Sequence, residues 1–278
     1  MIIDGHCHVW ENWPYQPAVP DPTSRARAEQ LLFEMDSAGV EQAIIICASL
    51  AANPRNADYA FAMTAAYPGR FTVFPDLECK WSPNFRKPDA ALRLETALRR
   101  WDFKGFTLYL ADEESGDWLT SDDGTAFFAL AERAGLIASL SAMPHQMPAV
   151  IALARRFPSL RIILHHFGFL GPRSATDLTT AEPVLAAAAC PNIWMKYSGM
   201  GNVAAAEQEF PYSELRWIPE AVGAAFGPSR LIWGSDWPVS RRHMTYGQAL
   251  SLLRRHGPFN DDEIVAVLGG NLERLLGS

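Results

Sequence analysis

The feature that most constrains the fold is a regular alternation of two patterns along almost the whole chain. Short runs rich in β-branched and aromatic residues, typical of strands, are followed by longer segments with helical periodicity. The eight candidate strands are, in order, MIIDGHCH, QAIIICA, RFTVFPD, FKGFTLYL, LIASLSA, LRIILHHF, NIWMKYS and RLIWGSD. A final helical segment, DDEIVAVLGGNLERLLG, follows the eighth strand. Eight such units in 278 residues favour an α/β fold with a single (β/α)8 TIM barrel over residues 1-278, rather than an open doubly wound sheet.

Composition narrows the class of protein further. Hydrophobic residues make up 49% of the chain and charged residues 20%, which is enough to bury a large core. The formal charge is -7, and no basic block longer than the pair Arg241 and Arg242 is flanked by aromatics, so we expect no nucleic-acid partner. The 4 cysteines are scattered without paired spacing, and the longest apolar runs are too short to span a bilayer. We therefore expect reduced thiols, a cytoplasmic protein and no membrane contact.

Polar side chains gather at the ends of the predicted strands, which is where barrel enzymes build their active sites. They are His8 on the first strand, His165 and His166 on the sixth, Lys196 and Ser198 on the seventh, and Asp236 on the eighth. The Pro-rich stretch WENWPYQPAVPDP follows the first strand, where we expect a loop that forms one wall of a pocket. The sequence therefore predicts a site at the carboxyl ends of the strands.

The stretch DGHCH places an acid and two histidines at alternate positions of the first strand. Residues two apart share a face, so Asp4, His6 and His8 are predicted to face the barrel interior if Ile3 and Cys7 pack outward against helices. Two imidazoles one pleat apart can bind a divalent cation together. The competing interpretation is a hydrogen-bonded pair of core histidines.

Asp236 in WGSDWP directly follows an apolar strand, where an ionised carboxylate without a partner would be costly to bury. We interpret it as a site carboxylate, with a helix N-cap or turn residue as the alternative. In LHHFG the side chains of His165 and His166 should face opposite sides of the strand. At most one of the two is then predicted to reach the pocket.

Several further side chains at strand ends could bind a substrate anion or oxygen. Lys196 and Ser198 share a strand face, with solvation at the surface as their alternative. The remaining candidates are Arg55, Arg173, Arg241, Arg242, His243 and Tyr109. An arginine could clamp a carboxylate by bidentate pairing, but an ordinary exposed arginine is the competing interpretation for each.

The whole set of motifs resembles the amidohydrolase superfamily, in particular the branch that includes lactonases of pyrone dicarboxylates and of sugar acids. The resemblance rests on DGHCHVW, PGRFTVFPDL, ARRFPSLRIILHHFG, NIWMKYSG, RLIWGSDWP and VLGGNLERLLG, in this order. It implies a (β/α)8 hydrolase in which His6 and His8 form the first-strand pair, His166 is a site histidine and Asp236 is the eighth-strand aspartate. His165 stands where many relatives carry an acid.

The resemblance implies at most one metal ion, because two ligand positions of the family are not matched. The fourth strand ends in Tyr109 and Leu110, with Lys104 at its other end, where binuclear members carry a modified lysine or a glutamate. The fifth strand offers only serines, and His145 comes after it, where mononuclear members carry a histidine. The metal ligands implied are His6, His8 and Asp236, for one divalent ion with zinc as first choice.

A further ligand of that ion could be His145, His166 or the substrate. The sequence is equally compatible with an enzyme that needs no metal. The function we expect is hydrolysis of a lactone that bears a carboxylate or sulfonate. Asp236 would be the general base on water, and His6, His8 and His166 would polarise the carbonyl. The alternatives are a metal-dependent decarboxylase or hydratase, and a barrel that only binds a metabolite. The expected partner is a small anionic substrate, and homo-oligomers are open.

Overall fold

The structure, a computed structural model, describes residues 1–175 and 177–277 and confirms the predicted barrel. All eight predicted strands are present. They are β1 (Ile3–Cys7), β2 (Gln42–Ile46), β3 (Phe71–Phe74), β4 (Gly105–Tyr109), β5 (Ile137–Ser141), β6 (Arg161–Leu164), β7 (Ile193–Tyr197) and β8 (Leu231–Trp233).

The strands form a closed ring of parallel pairs. Hydrogen-bonded ladders join β1 to β3 and β4 to β8. Two isolated bridges complete the ring, because Asp76 pairs with Thr107 beside β3 and β4, and Cys7 pairs with Trp237 beside β1 and β8. Closure brings the carboxyl ends of all strands to one rim, which is where a barrel places its site.

Helices follow the strands and cover the outside of the ring. They are α1 (Ala28–Ala38), α2 (Asn56–Ala66), α3 (Ala90–Arg100), α4 (Asp122–Arg133), α5 (Met147–Arg156), α6 (Leu178–Ala186), α7 (Met200–Val203), α8 (Trp217–Phe226), α9 (Tyr246–His256), α10 (Asp261–Val265) and α11 (Asn271–Leu276). The predicted final helical segment is present as α10 and α11, which a π-helical turn joins, and α9 is a further helix that was not predicted. None of the helices in the described residues has the length and apolar character needed to cross a bilayer.

The inside of the ring carries an apolar layer and a polar one. The apolar layer consists of Ile3, Ile44, Ile46, Phe74, Ile137, Ile163 and Ile232, with Leu272 and Leu275 of α11 packed against them. Other inward positions hold buried polar side chains, among them Ser139 on β5 and Lys196 on β7. Buried polar groups need partners, and these two have theirs in the histidine cluster described below.

A β-bulge in β1 changes which of its side chains share a face. Asp4 pairs with Ala43 and Cys7 pairs with Ile45, so two residues of β1 oppose one residue of β2. Partners in a parallel ladder face the same side of the sheet, so Asp4 and Cys7 both point towards the helices. The prediction that Asp4 shares the inward face of His6 is wrong for this reason, and so is the outward position predicted for the first isoleucine of the strand, which belongs to the apolar layer.

Asp4 instead joins β1 to the end of β8 and to α9. Its Oδ1 accepts hydrogen bonds from the backbone N–H groups of His6 at 3.0 Å and Ser235 at 2.9 Å. Its Oδ2 accepts from the hydroxyls of Ser235 at 2.5 Å and Tyr246 at 3.0 Å. Burial raises the pKa of Asp4 to about 6, and these four donors offset only part of that effect. Asp4 is therefore a structural residue that holds the two strands carrying the site.

Candidate active site

Three buried side chains from β1 and the segment after β8 meet at the carboxyl end of the barrel. The Nε2 atoms of His6 and His8 are 3.2 Å apart, and each lies 3.4 Å from Oδ1 of Asp236. The backbone holds this arrangement, since the N–H of Asp236 donates to the carbonyl of His6 at 2.8 Å and the N–H of His8 donates to the carbonyl of Trp237 at 2.6 Å. The structure thus brings together the three residues expected as metal ligands.

The distances among these three atoms fit one divalent ion. Zinc bonds of about 2.0–2.1 Å at tetrahedral angles place neighbouring ligand atoms about 3.3–3.4 Å apart. Nδ1 of His8 lies 2.7 Å from the carbonyl oxygen of Ile46, which can only accept, so Nδ1 carries the proton and Nε2 keeps its lone pair. His6, His8 and Asp236 therefore form a group that could hold a metal. His145 does not join it, because this exposed ring contacts the carbonyl of Glu114 at 3.2 Å.

Both histidines that end the sixth strand contact the cluster. The ring centroid of His165 is 4.6 Å from that of His6, and the ring centroid of His166 is 4.5 Å from it. The strand ends at Leu164, and His166 and Phe167 have φ values of 49° and 53°, in the left-handed region. The prediction that at most one of them reaches the pocket is confirmed, since His166 lines the cavity and His165 does not. The expectation that the two rings face opposite sides of the strand is wrong, because the chain leaves strand geometry at His166 and both rings contact His6.

Lys196 lies behind the cluster rather than in the wall of the cavity. Its Nζ is 2.8 Å from Nδ1 of His6 and donates to Oγ of Ser139 at 2.8 Å. Burial holds the pKa of the Lys196 amine well below its ordinary value, and in its neutral form the amine can accept from Nδ1–H of His6. Ser198 makes the corresponding contact to Nδ1 of His166 at 2.9 Å. The structure places these two candidate substrate-binding residues against imidazoles.

The electrostatics of the cluster favour neutral rings at His6 and His166 and an ionised carboxylate at Asp236. Burial lowers the pKa of His6 well below its ordinary value and that of His166 to about 4. Burial alone would raise the pKa of Asp236, but the positive charge that His166 and His8 carry when protonated and the hydrogen bond from the amide of Asn202 hold it below its ordinary value. Neutral imidazoles are the form that binds metal, and an ionised carboxylate can bind a cation or accept a proton.

Asn202 is a site residue that the sequence reasoning missed. Its Nδ2 donates to Oδ2 of Asp236 at 2.7 Å, so Oδ1 is the oxygen that faces the histidines. Asp236 has a φ of 57°, a left-handed conformation that a non-glycine residue adopts at a cost of about 1 kcal/mol or more. Asn202 lies in α7, beyond the strand end, where the polar residue closing the loop SGMGN was the available signal.

The cluster forms the floor of a cavity of about 460 Å³, a volume typical of small-molecule sites. His8, His166 and Asp236 line its floor, with His6 behind them. Apolar and aromatic side chains form most of its wall: Tyr15, Ala48, Leu50, Trp81, Tyr109, Leu110, Met143, Phe169 and Val239. The polar residues of the wall are Lys80, Asp112, Ser141 and Asn202. The Pro-rich loop contributes Tyr15, as expected, and the candidate Tyr109 lies in the wall.

The other cationic candidates lie outside the lining of this cavity. Arg55 lines a separate cavity beside α2 and α3, Arg173 is exposed after β6, Arg241 is exposed after β8, and His243 lines a small pocket behind Asn202. Arg242 is exposed and stacks on the ring of Tyr15, with its guanidinium carbon 5.2 Å from the ring centroid. The carboxylate clamp expected from these arginines is therefore not assembled in the described residues.

Comparisons with known proteins agree with this architecture. An L-fucono-1,5-lactonase from Burkholderia ambifaria is 31% identical over 252 residues, which cover 86% of this chain and 81% of that protein. A 4-sulfomuconolactone hydrolase from Hydrogenophaga intermedia is 27% identical over 137 residues, covering 46% of this chain and 44% of that protein. The structure of an amidohydrolase from Burkholderia multivorans with bound zinc has the same fold, with a TM-score of 0.80, 22% identity, and coverage of 100% of this chain and 99% of that chain.

The family comparison covers nearly the whole chain. A family model described as Amidohydrolase matches residues 3–278, from the first strand through the last helix. The matched residues include the histidine pair of β1 and the aspartate that follows β8. The chain therefore belongs to the amidohydrolase family.

Proposed function

We propose that this chain hydrolyses the ester bond of a lactone. The observation that carries the proposal is the convergence of neutral imidazoles and the ionised Asp236 at the floor of a cavity sized for a small molecule. The lactonase names of the two relatives described above support the same class of bond. No histidine lies on β5, where the decarboxylase or hydratase alternative needs a ligand.

Asp236 is the general base in this proposal. It is ionised, it borders the cavity, and the hydrogen bond from Asn202 holds its Oδ2 so that Oδ1 is directed to the reacting centre. The carboxylate of Asp236 removes a proton from the attacking water, and the protonated carboxyl then returns it to the ring oxygen as the lactone opens. Ring opening leaves the alcohol and the carboxylate in one product molecule.

His166 is proposed to bind the carbonyl oxygen. Its Nδ1 is 2.9 Å from the hydroxyl of Ser198, which can donate to that nitrogen and leave the proton of the neutral ring on Nε2. Nε2 borders Asp236 at 3.8 Å and belongs to a ring that lines the cavity. An N–H at this position can donate to the negative charge that forms on the carbonyl oxygen during attack.

His6, His8 and Asp236 would hold the divalent ion, with zinc as first choice because two nitrogens and one oxygen suit it. When bound there, the ion would supply Lewis acidity for the carbonyl and lower the pKa of water. Lys196 positions His6 through Nδ1, and the carbonyl of Ile46 positions His8 in the same way. These outer contacts keep both Nε2 atoms directed at Asp236.

The test is a pH-indicator assay with zinc-loaded and metal-free protein against sugar lactones, muconolactones and pyrone carboxylates. We expect turnover in at least one class, and a loss of about 100-fold or more in Asp236→Asn, since a general base contributes at least that factor. Asp58→Asn removes a carboxylate that pairs with Arg100 outside the lining of this cavity and is the matched control. Silence across the panel, or more than about a tenth of the activity left in Asp236→Asn, contradicts the proposal.

Metal binding is measured separately by elemental analysis after loading and desalting. We expect about one zinc per chain for the wild type and none for His8→Ala, because two remaining ligands bind weakly. Equal zinc content in both proteins would show that the ion does not lie at this cluster.

A further inference from the structure

One wall of the cavity is built by the loops after β3 and β4 and lies where it can contact the substituents of a bound lactone. The loop after β3 runs alongside β4, because the N–H of Lys80 donates to the carbonyl of Tyr109 at 3.1 Å. Trp81 is held beside it by a hydrogen bond from Nε1 to Oδ2 of Asp76 at 2.9 Å, and its ring lies 4.4 Å from that of Tyr109. Lys80 is thus placed at the edge of an aromatic surface.

Lys80 is the sole cationic side chain among the described residues that line the cavity, and it is already paired. Its Nζ lies 2.6 Å from Oδ1 of Asp112, which lines the same wall from the loop after β4. The guanidinium of Arg242 stacks on the ring of Tyr15, but Arg242 does not line the cavity itself. The charges of this wall therefore cancel.

A site that binds a carboxylate or sulfonate normally offers an unpaired cation or a bidentate guanidinium. Here an anionic substituent would have to displace Asp112 from Lys80 and would then lie next to a like charge. An uncharged substituent does not have to displace Asp112 and is not repelled by it, and it can pack on the rings of Trp81 and Tyr109. The wall thus differs from the one we expected for an anionic substrate.

We infer that the Lys80–Asp112 pair makes this cavity selective for uncharged lactones, and that Asp112 is the residue that excludes anionic ones. This inference rests on the proposed lactone hydrolysis and specifies its substrate class. The role of Asp112 is one of specificity, since it borders the substituent wall and not the histidine cluster. A single neutralising substitution at this position should convert the wall into one that accepts an anion.

The pair can be changed without endangering the fold. The Lys80 side chain is 36% exposed and that of Asp112 66%, and an ion pair so open to solvent contributes little to stability. Asp112→Asn keeps the size of the side chain and frees the amine of Lys80. Lys80→Met keeps the aliphatic stem and leaves Asp112 alone in the wall.

The experiment measures binding of two lactams, which resist hydrolysis, by calorimetry with the zinc-loaded protein. Both are six-membered rings, one carrying a carboxamide and the other a carboxylate at the same carbon, so that they differ in charge at nearly equal size. We expect the wild type to bind the carboxamide up to about fivefold more tightly than the carboxylate, which is the upper end of what one half-exposed charge pair is worth. Asp112→Asn should shift this ratio about tenfold towards the carboxylate, because repulsion is lost and attraction gained.

Two further variants separate a local effect from a change in overall charge. Lys80→Met should weaken binding of the carboxylate more than binding of the carboxamide, because Asp112 is then left without its cation. Asp58→Asn frees Arg100 from an ion pair of the same 2.6 Å length outside the cavity and should keep the wild-type ratio.

The inference is overturned if the wild type prefers the carboxylate, if neither lactam binds, or if the ratio in Asp112→Asn stays within twofold of the wild type. An equal shift in Asp58→Asn also overturns it, because the effect would then come from net charge. The proposed function is judged by lactone turnover instead. Turnover of lactones together with an unchanged lactam ratio therefore refutes the substrate class alone.

Discussion

Replacing Asp4 by alanine should destabilise the protein strongly, although Asp4 does not touch the cavity. Its carboxylate accepts four hydrogen bonds in the closed seam between β1 and β8. The two donors on Oδ1 are backbone N–H groups, of His6 and Ser235, and these cannot be turned elsewhere. The two donors on Oδ2 are the hydroxyls of Ser235 and Tyr246, which can rotate.

The expected loss of stability follows from the difference between the backbone donors on Oδ1 and the hydroxyl donors on Oδ2. A buried donor left without an acceptor costs about 1–3 kcal/mol. Asp4→Ala leaves two such N–H groups without an acceptor. We therefore expect the free energy of unfolding to fall by about 2–6 kcal/mol, out of a typical total of about 5–15 kcal/mol. Asp4→Asn keeps an oxygen for both N–H groups, and its amide can donate to the two hydroxyls. We expect that variant to lose only about 1 kcal/mol.

The measurement is urea unfolding followed by far-ultraviolet circular dichroism at one protein concentration, with the slope against urea compared among the three proteins. Equal slopes license a direct comparison of the free energies. A loss below about 1 kcal/mol in Asp4→Ala, or equal losses in the two variants, would falsify the argument that the backbone donors on Oδ1 carry the effect. Asp4→Asn should also retain the hydrolytic activity of the wild type within a few-fold.

Three further outcomes are expected. In steady-state kinetics, Asn202→Ala should lower kcat about tenfold and leave KM nearly unchanged, because Asp236 loses the contact that orients it. An unchanged kcat would show that Asn202 has no part in the reaction. Burial raises the pKa of Asp76, so the folded chain binds this proton more tightly than the unfolded one and wild-type stability, relative to Asp76→Asn, should fall as pH rises above about 4. Urea midpoints of both proteins at several pH values check the sign, and a difference that grows in the opposite direction contradicts it. Gly5→Ala should lower the thermal midpoint markedly, since an added Cβ would lie 2.4 Å from Cγ2 of Ile232 and 2.9 Å from a backbone oxygen of β8.

The barrel was predictable because hydrophobic periodicity and chain order are local properties. Each strand is a short apolar run that the sequence displays directly, and eight parallel strands with crossovers of this length have few ways to close. The same logic predicted that the first and eighth strands would present their polar ends at one rim. His6, His8 and Asp236 do meet there, at distances that fit one ion.

The errors have one physical origin, which is that side-chain direction was inferred from strict alternation. A single extra residue in β1 places Asp4 on the outer face, and left-handed backbone from His166 onward lets both His165 and His166 contact His6, although only His166 lines the cavity. Bulges and left-handed residues arise from contacts across the barrel, such as the pairing of β1 with β2. No pattern within one strand reports such contacts.

The sequence by itself thus determined the eight βα units, the family resemblance and the chemical types available at the strand ends. Only the tertiary structure decided which of those groups share a cavity. In the folded chain Asn202 donates a hydrogen bond to Asp236, and Lys80 forms an ion pair with Asp112. The expected arginines lie outside the cavity lining. The reason is that loop side chains acquire their position, and therefore their electrostatic role, from neighbours distant in sequence, whereas strands and helices follow from residues a few positions apart.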